Sequence, residues 1–486
     1  MTALATAPVE AEEKADRTPP LAWLADRGMG ASILIAGLSS AFGVALLTVT
    51  NYLSAVVGAS IVGEFDSVQT TLSILSWLFI GIAMYVTAIV TANTFSTIIA
   101  GRTRQIALMR LIGASAQSER AQIARQGLVI GAIGAVIGWL LVMGAAVIAL
   151  PYANDAIDAP PTLEFTPMSL ATVLPPLVVI VTTVLAAWVG SRRVLEVTPL
   201  QALGGSVDRT PDDIRTVPKK RGAIALLLIG AALLGIGVVV GLVSPFGVII
   251  AFFGGLLSFT GLAVGAVVIM PPVLRMVGRL FGRSTPAHLA AENAMRYPER
   301  SSRMAIGVVM GVTLVVMFSV AAASVKTVLF GVGDNEIQDV AEISAVLDNI
   351  ATVMMILVGV SAVIAAVGLV NLLTISIVQR TRELGLLRAL GLTKTQIRAM
   401  VMLEAAHIAI ASLATGLALG TIYGWAAAQS TLGSERFDGA AIVWPTVPWP
   451  LMVGVIAATV LLTLIASVVP TRLATRVAPV QALAVD

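Results

Sequence analysis

The chain has no cysteine among its 486 residues, which excludes disulfides, zinc–thiolate sites and thiol redox chemistry. Histidine is almost missing. His288 and His407 stand 119 positions apart, and no paired carboxylates or nucleophile constellation accompany them, so nothing supports a membrane enzyme. Charge is scarce as well, with Asp, Glu, Lys and Arg making up 12% of the chain against about 25% in a soluble domain. With only five lysines, a search for the phosphate-binding pattern G-x-x-x-x-G-K-[S/T] is short and finds nothing. The net charge of +3 gives no sign of nucleic-acid binding.

Apolar residues dominate instead, at 57% of the chain with a mean hydropathy of +0.95. About 20 apolar residues cross ~30 Å of hydrocarbon. Ten segments meet that length: 30–57, 72–100, 126–150, 170–190, 223–243, 246–270, 304–330, 350–378, 404–428 and 448–470. They are long and unbroken rather than alternating, which predicts helices and not a barrel. The expected fold class is an all-α polytopic membrane protein, with a tight outward hairpin at Ser244-Pro245 between the fifth and sixth spans.

The basic residues orient this array. Of 30, 28 fall before the first span, in 101–125, 191–222, 271–303 and 379–403, or after the last; Lys326 and Arg436 alone lie on the other set. A charge at mid-membrane costs about 3 kcal/mol, so the bias selects the topology with both termini cytoplasmic. The opposite loops carry acids, among them Glu64, Asp66, Asp155, Asp158, Asp334 and Glu336. Residues 1–29 are expected to form a cytoplasmic tail; no cleavable signal peptide is visible.

A twelve-residue pattern occurs twice. Arg102 to Gly113 reads RTRQIALMRLIG and Arg380 to Gly391 reads RTRELGLLRALG, offset by 278 positions with six identities. The same offset relates Asn93 to Asn371 and Arg120 to Arg398, and PLQAL at Pro199 is echoed by PVQAL at Pro479. The chain is an internal duplication of a four-span unit. Because the intervening pair of spans is even, the two units point the same way, about a pseudo-twofold axis along the membrane normal. The expected parts are 1–29 as the tail, 30–203 as repeat one, and 204–222 as a cytoplasmic linker. A two-span insert at 223–270, a cytoplasmic and interfacial segment at 271–303, and repeat two at 304–486 complete the chain. The AENAMRYPERSSRM stretch in 271–303 is expected to lie on the membrane surface, with Met295 and Tyr297 towards lipid.

Each duplicated loop has the makings of an elbow. In the second, Leu384, Leu387 and Leu390 recur at helical spacing, Gly391 suits a helix end with positive φ, and Thr393 with Gln396 has the spacing of a capping box. In the first, Gly113 holds the turn and Ser115 can cap, although Ser118 replaces Gln. Topology alone requires positive charge but not the same order of residues twice, so the pattern points to two docking sites for a soluble partner.

R-x-R-E-L-G-L-L-R-A-L-G with Glu404 on the following helix, and the terminal P-V-Q-A-L, resembles the FtsX/MacB-type ABC transporter permease domain across about 30–203 and 287–485. The resemblance implies two parallel four-helix FtsX-like repeats joined by the insert, and a permease of a bacterial cytoplasmic membrane with no enzymatic activity of its own. It implies two copies of a cytoplasmic ATPase subunit, holding ATP and Mg, seated on the elbows. The coupling residues it assigns are Arg102, Arg104, Arg110, Gly113, Arg380, Arg382, Glu383, Arg388 and Gly391. Gln105 and Gln126 depart from it, standing where repeat two has Glu383 and Glu404, so the two sites are expected to be unequal.

The outer segments near 151–169, 331–349 and 429–447 are each about 19 residues, too short for an independent core. That favours export or extraction of an amphipathic compound (an antimicrobial peptide, drug or lipid) taken from the bilayer; the rival is a non-transporting signalling module acting on the cell envelope. A secondary transporter would carry ionisable residues at mid-membrane, whereas only Glu404 and His407, near the cytoplasmic start of the ninth span, form a possible intramembrane polar site. Glycines 127, 131, 134 and 138, and 416, 420 and 424, have the spacing that lets helices approach closely. Because the chain is cysteine-free, Arg104→Cys and Arg382→Cys are expected to react with an impermeant maleimide only in inside-out vesicles; reaction in right-side-out vesicles overturns the topology.

Overall fold

The computed structural model describes residues 29–58, 115–156, 163, 165–191, 219–280, 284–296, 298–330, 381–434 and 442–476, together with Trp77, Gly81, Met84, Tyr85, Ala88, Ile89 and Ala92. In chain order the helices are α1 (Met29–Gly58), α2 (Ala116–Ala156), α3 (Leu174–Gly190, entered through a 3₁₀ turn at Leu170–Val173), α4 (Lys219–Val240), α5 (Gly247–Val264) and α6 (Ala266–Gly278). There follow α7 (Thr285–Arg296), α8 (Pro298–Phe330), α9 (Thr381–Ala389), α10 (Lys394–Leu432) and α11 (Trp449–Arg476). Strands are absent among the described residues, and seven helices there are long and apolar enough to cross a membrane. The protein is an all-α polytopic membrane protein. Seven of the ten expected spans correspond to these seven, and 448–470 falls in α11, whose apolar stretch is shorter. The span at 350–378, and that at 72–100 apart from its seven named residues, lie outside the described residues.

Hydrocarbon offers no partner to a polar group, and many hydroxyls in the spans donate back to a carbonyl of their own helix. Thr183 Oγ1 donates to the Val179 carbonyl at 2.6 Å, Ser319 to Val315 at 2.6 Å, Ser412 to Ile408 at 2.7 Å and Thr463 to Thr459 at 2.7 Å. The sixth span is less regular than its hydropathy suggests. It breaks at Gly265, and α6 continues past residue 271 with Pro271 and Pro272 inside it and Met270, Leu274 and Val277 buried.

The duplication is visible in the packing. In repeat one α1 packs on α2 and α2 on α3; in repeat two α8 packs on α10 and α10 on α11. Glycine makes both pairings close. On α2, Gly127 and Gly131 face Ala187 and Thr183 of α3, while Gly134 and Gly138 face α1. A Cβ on Gly134 would lie 2.6 Å from that of Ala36 and 2.8 Å from the Ile33 carbonyl oxygen, and one on Gly138 would meet the Gly37 carbonyl. On α10, Gly416, Gly420 and Gly424 face α8, where a Cβ on Gly420 would lie 2.6 Å from that of Val316. Between lipid-solvated helices there is little hydrophobic gain, and van der Waals contact over such a seam is the main attraction. The repeats meet through their first spans, Phe42 and Leu46 of α1 packing with Leu314 and Val315 of α8.

The insert α4–α5 is a glycine-seamed hairpin with a period of seven: Gly230 and Gly237 on α4, Gly247, Gly254 and Gly261 on α5, each against the partner's backbone. It turns at 241–246, with the Ser244 N–H donating to the Val240 carbonyl. The hairpin lies against α10 of repeat two.

Met295 corrects one expectation. Helix α7 does not lie free on the membrane surface: Ala287, Ala290 and Ala294 are buried, the helix packs on α10, and Met295 joins the central core cluster rather than lipid. Three alanines at helical spacing permit that close approach, whereas the flanking arginines suggested an interfacial helix. Tyr297 lies outside the described residues.

Replacing Gly134 by Leu is expected to destabilise the α1–α2 pair by about 1–3 kcal/mol or more through overpacking. Gly144, with nothing within 4 Å of its would-be Cβ, is expected to accept Leu at little cost. Detergent-solution thermal unfolding of the two variants checks the difference.

Candidate functional site

The second duplicated loop folds into a short helix, α9, a sharp reversal, and the long helix α10. Gly391 makes the reversal with φ +103°, a conformation costly to any residue carrying a Cβ. The Leu392 N–H donates to the Leu387 carbonyl and the Gly391 N–H to the Arg388 carbonyl, each at 3.1 Å, which is a Schellman motif. Its hydrophobic contact is present too, since Leu387 and Leu392 both pack against the cluster beneath. The capping box at the start of α10 is complete: the Gln396 N–H donates to Thr393 Oγ1 at 3.2 Å, and the Thr393 N–H to Gln396 Oε1 at 2.9 Å. Together these motifs leave little freedom between α9 and α10.

The elbow is also braced from behind. Leu384 is buried with Ile397, Met400 and Val401 of α10 and with Ala290 of α7, and Leu289 and Leu403 pack around them. The apolar face expected from Leu384, Leu387 and Leu390 therefore divides. Leu384 and Leu387 turn inward and fix the elbow, whereas Leu390 is 73% exposed and Leu386, which the helical spacing did not single out, is 52% exposed. Glu383 is exposed and Arg388 half-buried beside that outward pair. The exposed surface of the elbow is thus two leucines flanked by charges of both signs, on a projection continuous with a membrane span.

Arg382 lies in α9. Arg380, Arg102, Arg104, Arg110 and Gly113 lie outside the described residues. The far side of the first elbow is described: the Ser118 N–H donates to Ser115 Oγ at 3.1 Å, so Ser115 caps α2. Arg120 then lies with its guanidinium 4.9 Å over the Trp188 ring and its Nε–H 3.4 Å from Ser191 Oγ, tying α2 to the end of α3. Its counterpart Arg398 is exposed on α10.

Glu404 and His407 are both buried in α10. His407 Nε2–H donates to the Leu274 carbonyl at 2.6 Å and its ring packs on Gly278, which pins α6 to α10. Among the described residues no three His, Cys, Asp or Glu side chains come together to hold a metal ion.

The description "FtsX-like permease C-terminal" fits residues 77–199 and 355–479, together half of the chain and one match per repeat. The chain belongs to the FtsX-like permease family. Each match contains one of the RTR elbows. Similar proteins include an uncharacterized ABC transporter permease, YknZ, of Bacillus subtilis, 25% identical over 30% of this permease and 36% of its own length. The macrolide export ATP-binding/permease protein MacB of Rhodopirellula baltica is 28% identical over 31% of this chain and 21% of its own. An uncharacterized ABC transporter permease, MJ1507, of Methanocaldococcus jannaschii is 28% identical over 29% and 34%. The permease spans about a third or less of the length of these relatives.

The turn motifs carry measurable stability. Gly391→Ala and Thr393→Ala are each expected to weaken the elbow by about 1 kcal/mol, raising amide hydrogen exchange across 384–397 about fivefold. Unchanged protection in both variants shows that the turn is held by other contacts.

Proposed function

We infer that this permease is the membrane subunit of an ABC transporter in a bacterial cytoplasmic membrane, driven by a separate ATPase subunit that binds ATP and Mg. The reading rests on the elbow: a doubly capped, braced turn that shows Leu386 and Leu390 to the cytoplasm and passes any displacement directly into α10. A loose loop absorbs force; one closed by a Schellman motif and a capping box transmits it. The duplicated loop sequence supplies a second docking site in repeat one, one ATPase copy is seated on each, and ATP-driven closure of the ATPase pair moves the second and third spans of each repeat.

The cargo is an amphipathic compound, an antimicrobial peptide, drug or lipid, exported or extracted at the outer leaflet. Short outer segments favour collection from the bilayer, and macrolide export in the name of one relative supports a hydrophobic cargo. Chemistry at the nucleotide belongs to the partner. The permease contributes shape, position and the mechanical link.

Leu386→Asp with Leu390→Asp is expected to remove roughly 2–4 kcal/mol of docking energy at the second elbow, a loss of about 30- to 1,000-fold in affinity. Co-expressed with the ATPase of the same operon, the parent is expected to carry two ATPase chains and the variant one, measured by native mass spectrometry. Two chains retained on the variant overturn the elbow as the docking site.

A further inference from the structure

The two-span insert has no counterpart in the four-span repeat, and its contacts single out one pair of spans. Three consecutive residues of α5 face two different neighbours. The Tyr423 hydroxyl of α10 lies 2.9 Å from Ser258 Oγ, which is also 3.1 Å from the Gly255 carbonyl. On the other side, the Tyr85 hydroxyl of the second span lies 2.7 Å from Thr260 Oγ1 and 3.0 Å from the Leu256 carbonyl. Phe259 stands between them, edge-on to both rings, its centroid 6.4 Å from that of Tyr85 and 6.2 Å from that of Tyr423. The outer end is fixed as well, Gly241 of the hairpin turn meeting the backbone of Gln429 and Ser430.

Tyr85 belongs to the span that runs into the first RTR motif, and Tyr423 to the helix that leaves the second. Helix α5 therefore joins, across the repeats, the two spans that adjoin the elbows. The opposite diagonal lacks the side chains for these hydroxyl pairs. By the 278-residue offset, Val363 stands for Tyr85 and Ala145 for Tyr423, so neither hydroxyl exists there. On α2 the positions matching buried Tyr423, Ala426 and Ser430 are Ala145, Ile148 and Tyr152, and all three are exposed.

We propose that Tyr85, Ser258, Phe259, Thr260 and Tyr423 are positioning residues that make α5 a one-sided strut, locking the second span of repeat one to the third span of repeat two so that they move as one body. This deepens the coupling reading above and rests on it. The two hydroxyl pairs fix distance and rotation, and the edge-on aromatic contacts resist shear. The ATPase stroke is consequently delivered unevenly: one diagonal is rigid and the other opens.

Spin-label pairs in the cysteine-free chain, assembled with its ATPase in nanodiscs, test this. Trp77→Cys with Ile422→Cys reports the tied diagonal, both positions being exposed, and Met355→Cys with Gly144→Cys reports the other. Between nucleotide-free and vanadate-trapped states, the tied pair is expected to keep its distance while the other shifts by about 2–5 Å. In the volume-conserving background Tyr85→Phe, Ser258→Ala, Tyr423→Phe, the tied pair is expected to shift too, with ATPase still bound. A tied pair that moves as far as the other in the parent, or stays fixed in the triple variant, overturns the strut while leaving elbow docking intact. Movement of neither pair, or absence of bound ATPase, overturns the coupling reading and the strut with it.

Discussion

Close approach of helix backbones is the constraint on which this structure depends. Lipid tails solvate a leucine as well as another leucine does, so burial of apolar surface does not draw two spans together. Contact area does, and glycine enlarges it by letting one backbone lie in the groove of the next. Gly134 and Gly138 seat α2 on α1; Gly416, Gly420 and Gly424 seat α10 on α8. The insert uses the same device at every seventh residue. Each repeat is therefore closely packed about its third span, which carries the glycines.

The elbow turns that rigidity to use. Its backbone is closed on both sides of Gly391, and its inner leucines are held by α7, whose buried alanines let it lie flush against α10. A projection fixed in this way has few soft dihedrals left, and displacement at its tip becomes displacement of a span. At the opposite end of α10 the Trp425 indole N–H donates to the Val443 carbonyl at 2.7 Å and the Thr446 N–H to Ser324 Oγ at 3.0 Å, securing the chain that returns into α11.

The repeats are alike in packing order but not in surroundings. One carries the insert against its third span; the other leaves Leu141, Ile148 and Tyr152 exposed at the matching positions. Arg120 on Trp188 against exposed Arg398 extends the inequality to the elbow end of the third spans.

The membrane class, the position of the described spans, the duplication, the capping box and the positive-φ glycine were all legible in the residues, because each rests on a local rule: hydrophobic length, offset repetition, or the conformation one residue type permits. Which leucine of the elbow faces inward was not legible, since Leu384 and Leu386 are equally apolar and only the presence of α7 and α10 separates them. For the same reason Met295 was expected in lipid and packs against the core. Periodicity tells how a helix divides its faces, but not which neighbour each face meets. That choice, including the lodging of the insert on repeat two alone, belongs to contacts between residues far apart in the chain, and the tertiary structure decided it.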